Sequence, residues 1–180
     1  TLAAAMLAAS GWDAHTPLYD PCCGSGTIAI EAAQIACGIA PGILRRFGFE
    51  KLLPFQLHVW QALQNDAREQ EHEPTAEIHD SDVAFRMVDF TQRNAERAGV
   101  GKVVQARGGD ALQRMPPCET PGLMLLNPPY GERIAAAGVA GVSSMSRARE
   151  IAEGEDGGEF FSQLASHWKK NYNGWTAWML

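Results

Sequence analysis

Residues 18–33 read LYDPCCGSGTIAIEAA: an apolar pair, an acid and a proline, then two closely spaced glycines and a run of small helix formers. That is a strand, a tight turn and a helix in immediate succession. PLYD (17–20) is a short strand ending in an acid. TIAIEAAQIAC (27–37) is a helix, closed by Gly38 and broken by Pro41. In open parallel sheets, ligands sit at the carboxyl ends of strands in turns of this kind.

The alternation continues downstream. EIHDSD (77–82) is a second strand ending in acids, and VAFRMVDFTQRNAERAG (83–99) is an amphipathic helix. Its apolar side carries Ala84, Met87, Val88, Thr91, Ala95 and Ala98, with Gly99 as its cap. KVVQARGGD (102–110) is a third strand, and GLMLLNPPY (122–130) a fourth, apolar on both faces as a central parallel strand should be. EFFSQLASHWKKNY predicts another helix and GWTAWML a fifth strand. The pattern is α/β with a mainly parallel sheet. Residues 41–74 read as an insertion whose second half is helical, through Leu57, Trp60, Ala62, Leu63 and Ala67. Residues 135–158, rich in Gly, Ala and Ser and then in Glu and Asp, read as a flexible loop.

A chain of 180 residues supports one core, so 1–180 is expected to be a single domain. TLAAAMLAASGW reads as the end of a helix closed by Gly11. Opening at Thr1, already helical, the chain is expected to be a fragment of something longer. No apolar run is long enough to cross a bilayer. The net charge of −6 argues against a surface that binds nucleic acid by charge alone, so affinity for such a substrate would come from a basic module elsewhere. The cysteines at 22, 23, 37 and 118 show no CxxC or Cys/His spacing, which predicts no metal, reduced thiols and a cytoplasmic setting.

Each strand end carries a polar group: Asp20, Asp80, Asp110 and Asn127. Gly24-Ser25-Gly26-Thr27-Ile28-Ala29 fits G-x-G-x-x-A, which alone would suit a dinucleotide. Two features oppose that reading. The ribose-binding acid of a dinucleotide site is expected about 20 residues past the glycines, whereas Asp80 stands far beyond, past the insertion. Asp20-Pro21 also places a carboxylate where a pyrophosphate would approach. A carboxylate there suits a ligand with an ammonium and a sulfonium, and S-adenosylmethionine is such a ligand.

Asn127-Pro128-Pro129-Tyr130 is the most specific stretch. The prolines end the ladder and fix φ at both positions. The Asn127 side-chain oxygen and the Pro128 carbonyl can accept hydrogen bonds from one planar amino group, and Tyr130 offers a ring for stacking on a base. An exocyclic amine is a poor nucleophile because its lone pair is delocalised. Two acceptors aimed at its hydrogens orient that lone pair towards a methyl donor held in line. Asn127 is expected to be buried at this strand end.

LYDPCCGSGTIAIEAA, IHDSD, RNAERAGV and LLNPPYGER together resemble the THUMP-associated RNA methyltransferases, most of all the bacterial large-subunit ribosomal RNA guanine-N2 enzymes. The resemblance implies a Rossmann-like class I S-adenosylmethionine-dependent fold with helices on both faces, normally of seven strands. Five are visible, so the C-terminal strands would be missing. It implies guanine N2 of ribosomal RNA as target and a THUMP domain on the N-terminal side. Adenine N6 is the alternative target, and a non-catalytic cofactor- or RNA-binding scaffold the alternative class. Carried over, Asp20, Gly24 and Gly26 hold the methionine end of the cofactor, with Cys22 and Thr27 in the same turn. Asp80 takes the ribose hydroxyls and Asp110 the adenine amine. Asn127, beside both cofactor and base, acts on the target with Pro128, Pro129 and Tyr130. The family's turn has one cysteine after a bulkier residue, so Cys22-Cys23 is a departure.

Plainer roles are assigned elsewhere. Asp82, just before the helix, is expected as its N-cap. Glu31 reads as structural, and Cys22 and Cys23 also as small apolar fillers. Arg45, Arg46, Phe47 and Phe49 read as core packing with a solvated basic edge. His58, Trp60, Trp168 and Trp175 read as core or helix-packing residues. Arg133 is a candidate phosphate contact.

Overall fold

A computed structural model describes residues 2–128 and 156–180, with side chains of the last segment from residue 160. Pro129, Tyr130, Arg133 and most of the 135–158 loop lie outside the described residues.

Five strands, β1 (Leu18–Asp20), β2 (Ile78–Asp82), β3 (Val104–Gly108), β4 (Leu123–Leu126) and β5 (Thr176–Met179), form one sheet in the order β3-β2-β1-β4-β5. Every pairing is parallel. The chain steps outward from β1 to β3 and returns to place β4 on the other side of β1. That reversal is the point at which an open α/β sheet parts its connections and leaves a crevice.

Alternation along the strands separates two faces. Leu18, Ile78, Leu123 and Leu125 point to one, where α1 (Leu2–Ser10), α2 (Thr27–Ala36) and α4 (Phe85–Arg97) cover them. Ala29, Ala32, Ala33 and Ala36 of α2 are fully buried. Tyr19, Met124 and Leu126 point to the other face, beneath Leu164, Trp168 and Tyr172 of α5 (Asp156–Asn171) and its C-terminal turn. Trp175 joins the Tyr19–Tyr172 ring cluster. Residues 156–158, expected in the loop, belong to α5.

The insertion departs from its expected packing. α3 (Leu57–Glu69) forms, yet none of its residues is buried. Leu57 and Leu63 are exposed, and Trp60 meets Phe47 and Phe49 edge-on at ring distances of 5.6 and 5.0 Å. These rings close on one another rather than on the sheet, so Phe47, Phe49 and Trp60 are not core residues. The helical spacing is real, but its apolar side faces outward. Arg45 lies over the Phe47 ring at 4.9 Å, and His58 is exposed.

Gly122 is a packing requirement. A Cβ there would sit 2.0 Å from the Pro17 carbonyl oxygen, and the Leu123 N–H donates to that same oxygen at 2.8 Å. Gly122→Ala is expected to lower stability by about 2–3 kcal/mol, read by urea denaturation. An unchanged midpoint would mean that β1 and β4 part freely at this end.

Candidate active site at the strand ends

The turn after β1 is held from two sides. From β2, the Ser81 carbonyl accepts the Cys23 N–H at 2.9 Å and the Asp82 carboxylate accepts the Gly24 N–H at 3.0 Å. From α4, the Thr91 hydroxyl donates to the Gly24 carbonyl at 3.1 Å and the Asn94 amide to the Ser25 carbonyl at 2.9 Å. The two glycines serve differently. Gly24 (φ 54°) is open among the described residues, since a Cβ there meets none of them within 4 Å. Gly26 (φ 81°) caps α2 and is pressed against Thr91, whose Cγ2 would lie 2.5 Å from an added Cβ. Thr27 follows as the first, exposed residue of α2. Gly26 brings no side-chain cap, so the first N–H groups of α2 are left without intrahelical or side-chain acceptors.

Asp20 and Asp80 are register partners at the ends of β1 and β2, and each is 1% exposed. One Asp20 oxygen accepts the Cys22 N–H at 3.0 Å. Among the described residues, neither Asp80 carboxylate oxygen has a hydrogen-bond partner. Burial drives the Asp20 carboxyl well above the usual carboxylate range, and the charges of Asp80 and Asp82 add to the rise. Burial likewise pushes Asp80 up to about 7. Two adjacent buried carboxylates with so few donors are costly alone and are relieved by a cation or by hydroxyl donors.

Asp82 differs from both. One oxygen takes the Gly24 N–H and the other the Ala84 N–H at 2.8 Å. α4 is capped at Ala84, so Asp82 is not its N-cap; it closes the turn before the helix and ties it to the glycine turn. Ala84 is correspondingly exposed rather than on the packed side.

Asp110 follows Gly108-Gly109 at the end of β3, where its carboxylate accepts the Leu112 N–H at 2.9 Å. It lines a cleft of about 310 Å³ with Val83, Phe85, Gly108, Gly109, Gln113 and Arg114. Of these, only Asp110 is a sequence-stated candidate. The others follow strand ends and carry no motif.

Asn127 is exposed at the end of β4, not buried as expected, while Pro128 behind it is buried. The strand's four residues are all buried and stop one position short of the asparagine, which therefore lies just beyond the carboxyl end of this interior strand. Cys22 and Cys23 go to opposite faces. Cys22 packs on the cluster containing Leu126 and Leu164, whereas the Cys23 thiol contacts the Thr91 hydroxyl at 3.6 Å. Burial, and then nearby carboxylates, push the Cys22 thiol up to about 12 and raise that of Cys23 too, so both stay protonated. Thr91, a threonine in the buried centre of an amphipathic helix, is the contact that pattern alone assigns only to packing.

The family model for RMKL-like methyltransferase domains matches residues 1–145. The chain is 41% identical over 97% of its length to a "Ribosomal RNA large subunit methyltransferase K/L" of Shewanella pealeana. A protein of the same name from Psychromonas ingrahamii is 36% identical over 98% of the chain. The chain spans 23% and 22% of the length of these relatives. Among solved structures, a possible methylase from Clostridium difficile 630 superposes with a TM-score of 0.80 at 32% identity. SMU.472, complexed with SAH, superposes at 0.81 and 27%. In each case the match covers 99% of this chain and 42% of the other. A predicted N6-adenine-specific DNA methylase from Listeria monocytogenes superposes at 0.78 and 28%, with the same coverage.

Proposed function

The chain belongs to the family of RMKL-like methyltransferase domains, and we propose that it transfers a methyl group from S-adenosylmethionine to guanine N2 of large-subunit ribosomal RNA. The observation that carries the cofactor is the buried Asp20–Asp80 pair beside the uncapped N-terminus of α2. A zwitterionic amino-acid end fits both, its ammonium towards Asp20 and its carboxylate towards the α2 N–H groups, which favour anions. Asp80, with both oxygens unpartnered, suits the two ribose hydroxyls. Asp110 and the cleft beside it suit adenine, whose amine needs an acceptor. The open side of Gly24 lets a ligand approach the backbone, with Cys22 and Thr27 bordering the turn. When bound, the cofactor supplies an electrophilic methyl group on a sulfonium.

Asn127 projects where a planar amine could be held. Its side-chain oxygen and the Pro128 carbonyl accept the amine's hydrogens and fix the plane, while Pro129 stiffens the chain and Tyr130 stacks on the base. The residues thereby orient a lone pair. No covalent intermediate on the protein is required. The same geometry serves adenine N6, and the Listeria structure's name is the observation that keeps this second reading. The relatives' names favour ribosomal RNA. On this reading 1–180 is one methyltransferase domain with an insertion at 41–74. It works in the cytoplasm, with an N-terminal THUMP domain binding RNA and no metal in the transfer itself. No helix among the described residues is long and apolar enough to cross a membrane.

Calorimetric titration with S-adenosylmethionine and with its demethylated product tests the cofactor; failure of both to bind refutes it. Nucleoside analysis of ribosomal RNA from cells lacking the protein tests the base, a lost methylguanosine supporting N2 and a lost methyladenosine moving the target to adenine. Asp80→Asn is expected to weaken cofactor binding by roughly tenfold to a hundredfold, the worth of hydrogen bonds to a charged group. Asp82→Asn should cost less affinity but lower the melting temperature. The reverse pattern would give the ribose to Asp82.

A further inference from the structure

The opposite end of β2 gathers a second set of functional groups. Glu77 immediately precedes the strand and His79 lies two residues on, so both side chains leave the same face. Cys118, from the connection between β3 and β4, comes against that face. The carboxylate oxygen, imidazole nitrogen and thiol sulfur all lie within 4.8 Å of one another. The Glu77 Oε2 to His79 Nε2 distance is 3.0 Å. His79 is 5% exposed and so held in place, whereas Glu77 is exposed. Among the described residues the Cys118 thiol donates to the Thr120 carbonyl alone, at 3.3 Å, a weak bond that it can give up.

The geometry points to a divalent transition-metal site, suited to Zn²⁺, in which Glu77, His79 and Cys118 supply three ligands and solvent the fourth. One oxygen, one nitrogen and one sulfur form a mixed set that Zn²⁺ takes and that Ca²⁺ and Mg²⁺, which want oxygen alone, do not. In a tetrahedral site with ordinary bond lengths, ligand atoms stand about 3.3–3.6 Å apart. One pair already stands at 3.0 Å and all three atoms lie within 4.8 Å, so binding draws the Glu77 and Cys118 side chains towards a common centre beside His79. Sequence spacing gives no sign of the site because its ligands come from a strand and from a loop far along the chain. Bound there, the ion would clamp the amino end of β2 to the β3–β4 connection. His79 adjoins Asp80 in β2, but alternate strand residues leave opposite faces of the sheet, and neither Glu77 nor Cys118 belongs to the glycine turn or to the cleft at Asp110, so the inference does not rest on the methyl-transfer reading.

Co²⁺ added to metal-free protein tests it. One equivalent is expected to give the near-ultraviolet thiolate-to-cobalt band and intense visible bands of a tetrahedral site, and Zn²⁺ should bleach both. Cys118→Ser should abolish the ultraviolet band. Glu77→Gln, at an exposed position and nearly isosteric, should weaken Zn²⁺ binding roughly tenfold to a hundredfold in competition with a chromophoric chelator. A thermal scan with Zn²⁺ should show a rise in melting temperature for the wild type and none for Cys118→Ser. Absence of the band in the wild type, its survival in Cys118→Ser, or equal Zn²⁺ affinity in Glu77→Gln would each overturn the assignment.

Discussion

Asn127→Ala is expected to cut methyl transfer by about a hundredfold or more while leaving S-adenosylmethionine affinity within about twofold. The residue is the first beyond β4 and is exposed, whereas the strand behind it and Pro128 are buried. Removing its amide therefore leaves the sheet and the cofactor crevice unchanged. On the proposed reading, what goes is one of two acceptors that would hold the target amine in plane, an interaction that matters only as the lone pair is directed at the methyl group. Incorporation of labelled methyl groups into unmodified large-subunit ribosomal RNA reads the rate, and calorimetry reads the cofactor. Activity within a few-fold of wild type would remove Asn127 from the machinery. A parallel loss of cofactor affinity would make it a cofactor ligand instead.

Gly26→Ala carries the second large effect, on the fold. At φ 81° a side chain costs about 1–2 kcal/mol. The added Cβ also falls 2.5 Å from Thr91 Cγ2 and 2.8 Å from its Oγ1. Crowding in a packed core adds about 1–3 kcal/mol. A loss of about 3 kcal/mol is a large share of a typical domain's stability, and urea denaturation should show it as a lower midpoint. Thr91→Ala in the same chain should recover part of that loss by relieving the contact without relieving φ. Gly24→Ala is the informative contrast. Its φ is also positive, but nothing lies within 4 Å of the new Cβ. It should cost less stability and still impair cofactor binding, because the methyl occupies the side from which the ligand comes. Equal stability losses at 24 and 26 would mean that the Thr91 contact contributes nothing.

Much of this was legible before any coordinates. β1, the glycine turn and α2 follow from LYDPCCGSGTIAIEAA because turn chemistry and helix propensity agree there. The acids at the strand ends mark the crevice for the same reason. Three things were not legible. The apolar spacing of α3 is genuine, but periodicity states only that a side is apolar, not that anything covers it. Leu57 and Leu63 are exposed, and the aromatic residues of the insertion pack on one another. Asn127, expected to be buried at the strand end, is exposed because β4 ends one residue earlier. The separation of Asp80 from Asp82 became clear only through their partners, since two acids two residues apart look alike until the Gly24 and Ala84 N–H groups are assigned.

The contact between Gly26 and Thr91 has an evolutionary consequence. A helix after β2 and a turn after β1 share one patch of volume, so neither position drifts alone. Ser25, exposed between the two glycines, is free to vary. A bulkier residue at 91 is shut out while Gly26 caps α2 against it, and a side chain at 26 demands a smaller partner at 91. Across descendants of this sequence the two positions should therefore change together or not at all. A library that randomises the turn without also randomising α4 samples mostly broken proteins.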